Sequence, residues 1–157
     1  MPPAGIILVV AFVVILVICL YVDKNAGKKF KKEIEEKYPV KDSFENIFVT
    51  EKGELLYYLP SGTLPGYKKW NLKDIVYVNT NSGKMSGGRV YYFSVAGADK
   101  KGMNGEYLTP SKKNFLKEKL YASFMVGGPD TVKQYVAFIQ KHGPHIQYMV
   151  NGEEKEL

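Results

Sequence analysis

The chain carries two histidines, His142 and His145, three residues apart around Gly143-Pro144. Two imidazoles can share a zinc ion when a helix sets them four apart on one face, but a glycine-proline pair ends a helix between these two. They therefore read as part of a solvated turn. Carboxylates come in doublets at Glu35-Glu36 and Glu153-Glu154, both in highly charged surroundings. A general acid or base needs burial or a specific charged neighbour, and exposed charged segments supply neither. Asp74 interrupts an apolar run beside Trp70 and reads as a strand-end carboxylate accepting backbone hydrogen bonds. There is no P-loop, dinucleotide-binding glycine pattern or nucleophile elbow. These residues predict a non-enzymatic chain with no catalytic group, no metal site and no cofactor.

Binding chemistry is better represented. Basic doublets stand at Lys68-Lys69, Lys100-Lys101 and Lys112-Lys113, and Lys84 and Arg89 flank Gly87-Gly88. A glycine-rich turn between cations can form a nest for an anion. With the cluster Lys28, Lys29, Lys31 and Lys32, the residues Lys68, Lys69, Lys84 and Arg89 are the candidate contacts to anionic lipid headgroups or another anion. Aromatic residues recur as Tyr57-Tyr58, Tyr67, Trp70 and Tyr91-Tyr92, and one member of each adjacent pair on a strand faces away from a core. Tyr58, Tyr67, Trp70 and Tyr92 are thus the candidates for an unidentified protein partner, tyrosine and tryptophan being favoured in binding patches. The net charge is +6 with acidic residues interspersed, a distribution that gives no support to nucleic-acid binding.

The elements that must hold these residues begin with Gly5 to Val22, which contains no charged side chain. About 20 apolar residues suffice to cross a hydrocarbon core, so residues 1–22 predict a transmembrane helix. Lys24, Lys28, Lys29, Lys31 and Lys32 follow it, and basic flanks stay on the cytoplasmic side. The expected protein is single-pass, with its N-terminus outside and its C-terminal domain cytoplasmic. Cys19, the one cysteine, lies in the apolar stretch and excludes an intramolecular disulfide. Residues 23–43 alternate Lys and Glu with Phe30, Ile34 and Tyr38 four apart, which predicts a charged helical stalk or linker ended by Pro39.

Residues 44–157 are expected to form a mainly β domain. Strands are predicted at 46–50 and 54–59 around a Lys52-Gly53 turn, once or twice in 67–80, and at 89–98, 106–110 and 117–127, with a turn-rich loop at 81–88. Val132, Tyr135, Val136 and Ile139 recur at helical spacing between Pro129 and Gly143-Pro144, which predicts an amphipathic helix over 129–142. Residues 145–150 can add a short strand, and the last seven residues read as frayed.

Six or seven short antiparallel strands closed by one amphipathic helix resemble the pleckstrin-homology-like barrel of membrane-attached bacterial proteins. The phrase Trp70-Asn71-Leu72-Lys73-Asp74-Ile75-Val76-Tyr77-Val78 looks like a strand opening common in those domains. The Glu51-Lys52-Gly53-Glu54 turn lacks the clustered basic residues of inositide-binding members, and the helix has Phe138 as its large aromatic in place of tryptophan. The resemblance therefore implies a scaffold for protein or lipid contacts. The expected function is a membrane-tethered, non-catalytic binding domain contacting a protein partner or an anionic lipid surface at the cytoplasmic face. An extracytoplasmic ligand-binding or envelope-assembly domain on a signal anchor is the alternative.

Overall fold

The structure is a computed structural model describing residues 12–18, 28–59, 66–108, 123–126 and 128–157. It is mainly β, in two five-stranded sheets. Sheet A has the order β1 (Val40–Phe44), β2 (Ile47–Thr50), β3 (Glu54–Leu59), β4 (Gly66–Asn71), β7 (Glu106–Leu108). Sheet B has the order β10 (Glu153–Lys155), β9 (Gln147–Val150), β5 (Tyr77–Met85), β6 (Gly88–Ala96), β8 (Ser123–Val126). A helix α1 covers residues 28–37, and α2 runs Pro129–His142.

The expected transmembrane helix is not supported. Within residues 1–22 the structure describes residues 12–18, which are helical. Among the described residues no helix is long and apolar enough to cross a membrane. The single-pass placement, with its cytoplasmic C-terminal domain inferred from the lysines, is not supported either. The rest of the predicted span, residues 1–11 and 19–22, lies outside the described residues.

The two sheets enclose one core. Sheet A contributes Ile47, Val49, Leu55, Tyr57 and Trp70, sheet B contributes Val78, Phe93, Val95 and Tyr148, and α2 adds Val132, Tyr135, Val136, Phe138 and Ile139. A second cluster sits on the other face of sheet A, where Phe30 and Ile34 of α1, followed by Tyr38, cover Leu56 and Tyr67. The segment expected as a charged helical stalk or linker packs Phe30, Ile34 and Tyr38 onto sheet A, and its last residues enter β1.

Two turns shape sheet B. β5 and β6 pair antiparallel from Tyr77↔Ala96 to Met85↔Gly88, so the segment expected as a loop at 81–88 is mostly strand with Ser86-Gly87 at the tip. Gly87 and Gly88 have φ of +134° and +141°, values that L side chains rarely adopt. At the far end β9 runs parallel to β5 from Tyr77↔Gln147 to Thr80↔Val150. Asn151-Gly152, with φ of 51° and 84°, then reverses the chain into β10. An Asn-Gly pair with both φ positive is the favoured two-residue hairpin turn. The tail expected to fray is a paired strand.

α2 joins β8 to β9, which lie parallel at opposite sides of β5 and β6. The crossover lays α2 over these two central strands, with Tyr135 and Phe93 in ring contact at 5.2 Å. The helix is pinned to sheet A by the Tyr135 hydroxyl donating to Asn46 Oδ1 at 2.6 Å. Its last turn is held by Asp42 of β1, which accepts from Lys141 Nζ at 2.7 Å and lies 2.8 Å from His142 Nε2.

Candidate functional site

The candidate site is the corner where the distal half of the β5–β6 hairpin meets the first turns of α2. β9 accompanies β5 only as far as Thr80 because the Asn151-Gly152 turn carries the chain away, with the Asn151 amide donating to the Thr80 carbonyl at 2.9 Å. The β5 edge from Asn81 to Met85 carries no neighbouring strand among the described residues. At about 3.3 Å per residue this is some 16 Å of open edge.

A cleft of about 160 Å³ opens there. Tyr91, Tyr148, Val150, Val132 and Pro129 make its apolar wall, and Thr80, Asn81, Ser82, Asn151 and Lys133 supply polar groups. Its floor is ordered, since the hydroxyls of Thr80 and Tyr148 lie 3.1 Å apart and Thr80 also donates to the Met149 carbonyl at 3.3 Å.

Alternation decides which charges belong to this corner. Thr80 opposes Phe93, Ser82 opposes Tyr91, and Lys84 opposes Arg89. These pairs share the face on which α2 lies. Lys84 and Arg89 thus extend the cleft outward, and both are exposed. Like charges directly opposite one another in a sheet are destabilising. No carboxylate lies within ion-pair distance of Lys84, Arg89 or Lys133 among the described residues.

The other predicted contacts are placed differently. Lys28, Lys29, Lys31 and Lys32 are exposed on α1, where Lys31 and Lys32 face Glu35 and Glu36 one turn on at 3.8 and 3.7 Å. Lys68 is 3% exposed on the inner face of β4, its ammonium 5.9 Å from the Trp70 ring, and burial pushes its pKa down to about 8. Lys69, on the outer face, pairs with Glu106 at 2.8 Å and Glu54 at 3.3 Å. The candidate basic residues are split among α1, the interior, the outer face of sheet A and the hairpin tip.

The aromatic candidates are mostly interior. Trp70 is 4% exposed and donates its indole N–H to the Met103 carbonyl at 3.0 Å. Tyr67 is 3% exposed beneath α1, and Tyr58 packs on its ring at 5.2 Å. Burial pushes the Tyr67 hydroxyl up to about 12, with Glu35 adding to the shift. Tyr92 is half-buried on the face of β6 opposite the cleft. The aromatics at the candidate site are Tyr91 and Tyr148, which sequence reasoning passed over. The Asn151-Gly152 turn was the signal that would have pointed to them.

The two histidines and Asp74 make local contacts. His145 Nε2 lies 3.2 and 3.1 Å from the carbonyls of Leu72 and Ile75, while His142 turns to Asp42. Asp74 accepts from the Asn71 side chain at 3.3 Å at the surface. No cluster of three metal-ligating side chains occurs among the described residues.

No family model matches the chain, and no curated protein and no solved structure is significantly similar to it.

Proposed function

We propose that this chain is a non-catalytic binding module whose ligand is an acidic segment of a partner protein, received at the corner between α2 and the β5–β6 hairpin. The observation that carries this reading is the cross-strand pair Lys84 and Arg89, two cations on one face with no carboxylate within ion-pair distance among the described residues, beside an apolar cleft rimmed by Lys133. Charge repulsion built into a hairpin costs stability, and an anionic ligand removes that cost on binding. The cleft is the size of a large side chain and is walled by two tyrosines and three aliphatic residues, which suits a peptide better than a free inorganic anion.

The lysines of α1 fit this reading poorly because Lys31 and Lys32 are balanced by acids on the same helix. Titrating the isotopically labelled full chain with a random glutamate–leucine copolymer is expected to shift the amide resonances of Ser82–Arg89 and Thr131–Lys133. The effect should fade as salt screens the charges, and a lysine–leucine copolymer should have none. In K84E/R89E the copolymer affinity should drop at least tenfold. Shifts confined to residues 28–37, or binding to anionic vesicles but to no acidic copolymer, would overturn the proposal.

A further inference from the structure

The binding reading leaves open how a partner segment would lie in the corner, and three features bear on that. First, among the described residues no strand pairs with the β5 edge from Asn81 to Met85, in line with β9, and the backbone groups of an open sheet edge accept a further strand. Second, the cleft and the cation pair are not side by side at random. Ser82 lines the cleft, and Lys84, two residues further along the same strand, bears the charge on the same face. Third, a lysine on an open edge deters pairing with strands of like charge, so the strand it leaves admissible is acidic.

Resting on the binding function proposed above, we infer that the partner segment adds to sheet B as a strand along Asn81–Met85. It would be recognised by an apolar and an acidic side chain two residues apart. Neighbouring strands hold side chains of one level on one face. The ligand residue level with Ser82 places an apolar side chain in the cleft against Tyr91, Val132 and Tyr148. The ligand residue level with Lys84 then lies on the same face beside Lys84, with Arg89 one strand beyond it, and a carboxylate there meets the Lys84 ammonium within the field of both cations. The residue between them points away and is unrestricted. About five residues fill the open edge, and main-chain hydrogen bonds supply affinity while the two anchored side chains supply specificity.

The experiment selects binders to the full chain from a displayed library of random heptapeptides. A recovered peptide is then measured by fluorescence anisotropy against wild type and K84E/R89E. The same peptide is also made with N-methyl groups on alternate amides, in each of the two phases. Strand addition predicts enrichment of an apolar and an acidic residue two apart and at least a tenfold loss in K84E/R89E. It also predicts that one methylation phase abolishes binding while the other leaves it unchanged. Peptides that bind this corner without that spacing, or with equal tolerance of both phases, would overturn strand addition and leave the binding function standing. Recovery of no peptide would overturn both.

Discussion

Asp42 shows how one carboxylate can fasten two layers. It receives the Lys141 ammonium, lies against the His142 ring and accepts from the Ser43 amide at 2.9 Å, and these contacts hold its pKa down at about 2, against an ordinary value near 3.8. A carboxylate depressed in the folded state contributes stability that is present above its unfolded pKa and lost as pH falls through the folded one. The fastening of β1 to α2 is therefore intact at neutral pH and is lost between about pH 4 and pH 2. Asp42→Asn should flatten the acid limb of the stability curve over that window, read by urea unfolding at a series of pH values, and leave the shape near neutrality unchanged. The same kind of accounting separates Lys68 from Lys69. As adjacent lysines in the sequence they look alike, yet alternation sends Lys69 to Glu54 and Glu106 and sends Lys68 between the sheets. Nothing in a Lys-Lys doublet announces that one of them is interior.

At the scale of elements, α2 was the most legible. Pro129 and Gly143 bracket a helix that runs Pro129–His142, and its periodic residues Val132, Tyr135, Val136 and Ile139 are all buried. The β2–β3 hairpin was legible as well, with Gly53 at φ 73° in its turn. The tyrosines of β3 and β4 were not, and the reason is physical. Alternation separates core from surface only when one face of a sheet is wet, and sheet A is covered on both, by the main core and by α1. Tyr57 and Tyr58 therefore pack on opposite faces, each against neighbours. This cover can be probed. Ile34→Ala removes a buried side chain from the seam and should lower the unfolding free energy by about 2 kcal/mol, at the small end of the range for such truncations because the seam is shallow. Denaturant unfolding would measure it, and a neutral result would mean that α1 does not rest on sheet A in solution. The stretch at 81–88 misled in the other direction, because its glycines and polar residues match a loop while a two-residue turn lets nearly all of it pair.

At the scale of the molecule, the core residues of both sheets and α2 form a single cluster, which is expected to unfold as one body. Phe93, fully buried in that cluster, should on truncation to alanine cost about 4 kcal/mol and still unfold in one transition seen alike by far-UV and near-UV circular dichroism. Two separated transitions would mean that the sheets are independent. The mainly β character was readable from composition and turn spacing, whereas the arrangement in two sheets was not, because it depends on β9 entering beside β5. That pairing joins Tyr77 to Gln147 and Thr80 to Val150, residues 70 positions apart. On a ribosome the strand that completes the inner neighbourhood of β5 is made some 70 residues after it. Contacts of such separation fold slowly. For the whole of that interval the full length of the β5 edge stands open, and a nascent chain in that state is the one that a chaperone would have reason to hold.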